Sequence, residues 1–288
     1  MNNDPAAAVA ALPPLREVIA RHGLAARRGL GQNFILDLNL TRRIVRAAGD
    51  LRDVSVVEVG PGPGGLTRAL VESGARRIIA VETDPRCLAA LEPLVEAAAG
   101  RLEVHHGDAL RLDLSTLAPA PRIIIANLPY NVATPLLIGW LRQGPVWDRL
   151  VLMFQREVAM RLASPPGNRT YGRLSVLAQW LAEVQLLFDV DASAFVPRPA
   201  ITSTVVRLTM RPAPLAAADP EVLQRVTAAA FGGRRKMLRR SLSGLVAAPT
   251  ALLESLAIDP QARAESLSVE QFCALARRIE EMEKKTLD

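Results

Sequence analysis

Val56-Val57-Glu58-Val59-Gly60-Pro61-Gly62-Pro63-Gly64-Gly65-Leu66-Thr67 decides the fold. An apolar run ends in a turn carrying four glycines and passes into helical spacing over 65–73. Glycine there lets the backbone turn tightly and approach a ligand without Cβ obstruction. A phosphate-binding P-loop would close on Gly-Lys-Ser/Thr, and Gly64-Gly65-Leu66 stands in that place, so nucleotide triphosphate hydrolysis is disfavoured. Downstream, strands are expected at 77–82, 102–105, 122–126 and 149–154, with helices at 85–98, 135–141 and 155–163. The first four strands recur every 20 to 25 residues, which predicts right-handed crossovers and a buried parallel sheet in an α/β fold.

Upstream, helical spacing is expected at 13–22 and 37–48, and residues 1–12 read as a short disordered leader. After the loop Ser164-Pro165-Pro166-Gly167-Asn168 the pattern changes to a helix at 171–182 and two strands, 184–190 and 203–210, that would finish the sheet as a hairpin-like pair. From 211 onward only helical signals remain, at 220–231, 234–246, 249–257 and 269–283. The boundary is therefore placed near 211, giving domains 13–211 and 212–288.

The strand ends carry the chemistry. Glu82 closes the second strand 22 residues after Gly60, where a carboxylate accepts both ribose hydroxyls of a nucleoside. Asp108 follows the third strand in His106-Gly107-Asp108-Ala109, placed to accept from an adenine amine. Either acid alone has a plainer reading as a helix cap or a solvated loop residue, and for Asp108 the two readings weigh about equally. Together they suit S-adenosylmethionine better than a dinucleotide, whose pyrophosphate needs no Asp108. The fourth strand runs Ile123-Ile124-Ile125-Ala126-Asn127-Leu128-Pro129-Tyr130. An adenine amino nitrogen is a poor nucleophile because its lone pair is delocalised. The Asn127 side-chain oxygen and the Leu128 carbonyl, each accepting an N–H, would draw it towards tetrahedral geometry. Pro129 fixes the turn and Tyr130 offers a face for the base to stack on. The plainer reading is a strand-ending turn with a core-capping tyrosine. Catalysis here would be positioning and electrostatics, with no activated nucleophile.

Composition agrees. The 288 residues carry 35 Lys plus Arg against 29 Asp plus Glu, a formal charge of +6. Only Lys236, Lys284 and Lys285 are lysine, and arginine suits phosphate through its paired donors. Residues 1–50 carry 7 basic and 4 acidic side chains, 51–190 carry 14 of each, and 191–288 carry 14 and 11, so a neutral middle lies between basic flanks. Cys87, Cys273, His22, His105 and His106 are too few and too scattered for a zinc site or a disulfide framework, so no metal is expected and a reducing, cytoplasmic setting is the default. The uncharged run 123–141 is broken by Asn127, Pro129, Asn131, Thr134 and Pro135 and reads as strand, turn and helix rather than a membrane span.

In sequence order, Gly31-Gln32-Asn33-Phe34, Glu58-Val59-Gly60-Pro61-Gly62, Gly107-Asp108-Ala109-Leu110, Asn127-Leu128-Pro129-Tyr130-Asn131, Gln155-Arg156-Glu157-Val158, Tyr171-Gly172-Arg173-Leu174-Ser175, Phe195-Val196-Pro197-Arg198-Pro199 and Phe231-Gly232-Gly233-Arg234-Arg235-Lys236 give the chain a strong family likeness. It resembles the KsgA/RsmA family, the small-subunit (16S) ribosomal RNA adenine N6,N6-dimethyltransferases. The resemblance implies a Rossmann-like seven-stranded S-adenosylmethionine-dependent methyltransferase domain followed by a small all-helical domain that binds RNA and the ribosome. It implies cofactor contacts at Gln32, Asn33, Ile35, Gly60, Gly62, Glu82, Asp108 and Asn127, with S-adenosylhomocysteine as product. Asn127, Leu128, Pro129, Tyr130 and Phe195 would form the catalytic set, with Tyr130 and Phe195 flanking an adenine extruded from the 3′-terminal hairpin loop of the small-subunit rRNA. The partner implied is the small ribosomal subunit, met by a monomer away from any membrane.

Four departures stand out: Ile35 for Leu, Val132-Ala133 for Ile-Ser, Ile201-Thr202 for Val-Asp, and Arg240 for Asn. Thr202 puts the geometry after Phe195 in question. Leu128, Tyr171-Gly172-Arg173 and the 231–236 run favour this family over the Erm-type large-subunit enzymes, which share fold and chemistry. A third reading is an assembly factor whose binding matters more than its methylation.

Arg234, Arg235, Lys236, Arg239 and Arg240 are the expected RNA grip, five cations within seven residues. On a helix from 234, positions 235 and 239 would share one face and 236 and 240 the next. The alternative is a solvated face with no partner. Arg27, Arg28, Arg156, Arg161, Arg169, Arg173 and Arg198 are secondary candidates.

Overall fold

The structure, a computed structural model, describes residues 4–24, 33–233 and 235–287. Two units emerge from the way the chain packs: residues 1–159 with 185–210, and 160–184 with 211–288.

In the first unit a seven-stranded sheet holds the strands β2 (Ser55–Val59), β3 (Arg77–Glu82), β4 (Leu102–His106), β5 (Arg122–Ala126), β6 (Arg149–Gln155), β7 (Ala182–Val190) and β9 (Ser203–Met210) in the order β4-β3-β2-β5-β6-β9-β7. The pairs β2–β3, β3–β4, β2–β5 and β5–β6 are parallel, as the spacing of apolar runs predicts, and β9 enters antiparallel to β6. The two late strands do lie side by side at the sheet edge. Every residue of β2 is buried, because helices cover a parallel sheet on both faces. A short pair, β1 (Phe34–Ile35) and β8 (Phe195–Val196), lies apart from the sheet.

The helices of this unit are α1 (Pro5–Ala10), α2 (Leu15–Arg21), α3 (Leu38–Arg46), α4 (Gly65–Glu72), α5 (Pro85–Ala97), α6 (Tyr130–Arg142) and the start of α7 (Arg156–Ala163). The expectation of a disordered leader is corrected over 4–12. Asp4 caps α1 by accepting from the Ala6 amide at 3.0 Å, Pro5 begins the helix, and Val9 is buried in the main core. Helix α6 starts five residues before the proline expected to open it. Pro129 sits just outside the helix, and the Val132 and Ala133 amides both donate to its carbonyl at 3.1 Å. Pro135 is carried inside the helix. The uncharged run is thus strand, turn and helix, and among the described residues no helix is long and apolar enough to cross a membrane.

The second unit contains the end of α7, then α8 (Arg173–Leu181), α9 (Pro220–Ala230), α10 (Leu238–Ser241), α11 (Pro249–Ser255) and α12 (Val269–Leu287). The expected cut at 211 is one crossing of three; residues 160–184 also belong to this unit. Aromatic packing explains why. Tyr171 meets Phe231 edge-on at 6.1 Å, Phe231 meets Phe272 at 5.5 Å, and Trp180 Nε1 donates to the Ala216 carbonyl at 2.7 Å. The Ser175 hydroxyl donates to the Arg161 carbonyl at 2.5 Å and accepts from the Gly172 amide at 3.0 Å, tying the start of α8 to the end of α7.

The helix expected over 234–246 is corrected to the four-residue α10. Met237 is extended at φ −68°, ψ 151°, and the amides of Leu238 and Arg239 donate to the carbonyls of Ala262 and Pro260 at 2.8 and 3.2 Å. A turn therefore separates 235–236 from 239–240, and the two helical faces proposed for the cations do not form.

Candidate active site

The carboxyl ends of β2, β3, β4 and β5 open on a cleft of about 200 Å³. Asn33, Ile35, Gly60, Gly62, Glu82, Asp108, Asn127, Leu128, Pro129 and Tyr130 all line it. Gln32 and Arg234 lie outside the described residues, as do Arg27 and Arg28.

The glycine turn is built for close approach. Gly62 has φ +55°, and a Cβ there would stand 3.0 Å from the Phe34 ring; one on Gly65 would stand 2.7 Å from the Ile35 carbonyl oxygen. Glu82 holds this turn in place. Its Oε2 accepts from the Gly62 amide at 3.0 Å, and its Oε1 accepts from the Thr83 and Asp84 amides at 2.8 and 2.9 Å. A carboxylate has about four acceptor positions, so three amides orient it and leave capacity for a hydroxyl. Asp108 unites the two readings given above. It lines the cleft, and its Oδ1 caps the following turn by accepting from the Leu110 amide at 2.9 Å.

Asn127 ends β5. Its Nδ2 donates to the Asn33 carbonyl at 3.1 Å, which commits the amide nitrogen and leaves the carboxamide oxygen as an acceptor. With Val132 and Ala133 bonded to Pro129, the Leu128 carbonyl stays outside the helical ladder, as the proline predicts. Tyr130, the first residue of α6, has its hydroxyl 2.5 Å from Ser203 Oγ, and burial raises its pKa.

Phe195 is not brought to the cleft. It is 2% exposed and packs in the main core with Ile35. The cause is strand alternation: β8 pairs antiparallel with β1, placing Phe195 opposite Ile35 and Val196 opposite Phe34, so Phe195 turns inward and Val196 outward. The second aromatic ring on the cleft belongs to Phe34. At the Thr202 departure the main-chain carbonyl accepts from the Arg156 amide at 3.0 Å, a bond that does not depend on the side chain.

Glu58 escaped the sequence reading. It lines the cleft yet is 1% exposed, and its Oε2 has no protein partner. Burial pushes its pKa up to about 8, opposed by the Thr67 hydroxyl and reinforced by the charge of Glu82. The only sequence signal was an acid flanked by valines inside a strand. Because folded Glu58 binds a proton that the unfolded chain releases near 4.5, folding stability from this group is full below pH 4.5 and falls as pH rises to about 8. Glu58→Gln cannot ionise and should flatten that fall in a melting-temperature series; an unchanged slope would refute the assignment.

Among the described residues no three His, Cys, Asp or Glu side chains gather as a metal ion would require. In the second unit Arg235, Lys236, Arg239 and Arg240 are all exposed.

The model of the ribosomal RNA adenine dimethylase family matches residues 23–281. The chain belongs to this family. Within it, Ribosomal RNA small subunit methyltransferase A of Rhodospirillum rubrum is 60% identical over 269 residues, covering 93% of each chain. The protein of the same name from Paramagnetospirillum magneticum is 59% identical over 280 residues, covering 97% of this chain and 98% of that one. The fold of this dimethylase family member is that of a dimethyladenosine transferase from Plasmodium falciparum, with TM-score 0.75 at 23% identity over 86% of this chain and 98% of that one. The 23S rRNA methyltransferase ErmE follows at TM-score 0.66 and 25% identity, covering 86% of this chain and 100% of its own.

Proposed function

We propose that the protein transfers methyl groups from S-adenosylmethionine to N6 of two adjacent adenosines in the 3′-terminal hairpin loop of small-subunit rRNA, giving N6,N6-dimethyladenosine and S-adenosylhomocysteine. The observation that carries this reading is the Asn127 side chain, whose nitrogen is committed to Asn33 while its oxygen is left to accept from a base. The cleft suits the methyl donor: a turn where a Cβ would meet Phe34, an oriented carboxylate at Glu82 for the ribose, and Asp108 for the adenine amine.

When bound, the donor supplies an electrophilic sulfonium methyl, so no nucleophilic side chain is required. Asn127 Oδ1 and the Leu128 carbonyl would accept the two N6–H groups and aim the nitrogen lone pair. Tyr130 would stack the base, and the displaced proton would leave N6 for water. The residues contribute position and fixed dipoles.

The small subunit is favoured over the large by Leu128 and by relatives at 59–60% identity named for the small subunit, against 25% for ErmE. The reading includes a cytoplasmic setting, monomeric action, and an RNA grip formed by Arg235, Lys236, Arg239 and Arg240, with Arg234 adjoining.

Labelled S-adenosylmethionine offered to immature small and large subunits from a strain lacking the modification tests it. Digested small-subunit RNA should yield dimethyladenosine. Label confined to the large subunit would move the reading to the Erm type, and binding without label would favour an assembly factor.

A further inference from the structure

We propose that Ser203 is a positioning residue for methyl transfer, its hydroxyl pinning the far end of the Tyr130 ring on which the target adenine stacks. This rests on the stacking role given to Tyr130 above. A phenol ring held only at Cβ can swing about χ1; a hydrogen bond at the hydroxyl, which lies on the ring's own flip axis, removes that swing and fixes where the ring stands in the cleft. Tyr130 is held at both ends, by the first turn of α6 and by Ser203 Oγ at 2.5 Å.

The anchor itself is rigid. Ser203 is fully buried on β9 and lies opposite Gln155 of β6 in the antiparallel ladder. On one side of it the Thr202 carbonyl accepts from the Arg156 amide at 3.0 Å. On the other the Thr204 hydroxyl donates to Asp189 Oδ1 at 2.6 Å, and Asp189 Oδ2 also takes Arg156 Nε at 3.2 Å. Ser203 thus transmits the stiffness of the sheet to a ring at the mouth of a catalytic turn on a different strand end. Methyl transfer depends on near-attack geometry, in which a displacement of about 1 Å costs on the order of a hundredfold.

A purely structural role would be satisfaction of a half-buried phenol, and the two roles separate by experiment. Ser203→Ala strands the Tyr130 hydroxyl, so it should lower both melting temperature and kcat, the latter by roughly ten- to a hundredfold, with cofactor Kd and subunit KM unchanged. The double variant Ser203→Ala/Tyr130→Phe removes both polar partners, which restores stability; its kcat should stay low because the ring is still untethered. Ser203→Thr keeps the hydroxyl and should recover the rate. Wild-type kcat in Ser203→Ala, or a double variant whose kcat returns together with its melting temperature, would overturn the proposal. Rates are read on whichever subunit the wild type labels, so a change of ribosomal substrate leaves this test standing, while absence of label from both subunits defeats both readings.

Discussion

An Asn127→Ala variant should lose methyl transfer by about 10²- to 10³-fold, the scale seen when one preorganised group that stabilises developing charge is deleted. The expectation follows from how the side chain is held. Its nitrogen is spent on the Asn33 carbonyl at 3.1 Å, so only the oxygen faces the reaction, and alanine removes it. The Leu128 carbonyl remains as the other acceptor, but one acceptor cannot aim the lone pair of an amino group that carries two hydrogens. Asn127→Asp should rescue little, because it sets a carboxylate oxygen against the Asn33 carbonyl. Single-turnover rates with saturating cofactor, beside subunit binding by sedimentation, give the answer. Binding should persist while the rate collapses; a rate within a few fold of wild type would remove Asn127 from the chemistry.

The second large effect is expected from Arg235→Glu combined with Arg239→Glu. Both side chains are exposed and their backbone is tied by turns and by the loop at 260–262, so reversal alters the surface without unpacking the core. Phosphate contacts make binding steeply salt-dependent, and loss of two should lower the slope of log K against log salt by about two. Subunit affinity at moderate salt should drop at least about tenfold, with cofactor affinity unchanged. If cofactor binding fell instead, the cations would be supporting the fold of the enzyme rather than gripping RNA.

The sheet and most of the cleft were legible in the sequence because they obey local rules. Glycines mark a turn with positive φ, apolar runs mark buried parallel strands, and acids at strand ends mark the ligand side of an α/β sheet. Glu82, Asp108 and Asn127 come together for that reason. What escaped depends on contacts between distant parts of the chain. Val9 is buried by the core that receives it, which an alanine-rich leader does not announce. Phe195 turned inward because β8 found β1, a pairing of two-residue strands too short for any periodic signal. The helix through the basic run broke because Gly232-Gly233 and the extended Met237 outweighed the helical preference of arginine, and the loop at 260–262 supplied alternative acceptors. Glu58 and Ser203 look unremarkable in one dimension; their surroundings, a buried cleft wall and a tyrosine 73 positions away, give them significance.

The chain crosses between its two units three times, after residue 159 in α7, after residue 184 in β7 and after residue 210 at the end of β9, and this governs how the protein can be cut or exchanged. The second unit is not a tail. Shortening the polypeptide at 211 would leave Tyr171 without Phe231 and Trp180 without the Ala216 carbonyl, exposing aromatic surface on the fragment that remained. A chimera that takes its second unit from a relative must therefore transplant 160–184 together with everything from 211 onward. Recombination at a single joint should yield an insoluble product, whereas a graft joined at all three crossings should keep the methyl-transfer cleft intact.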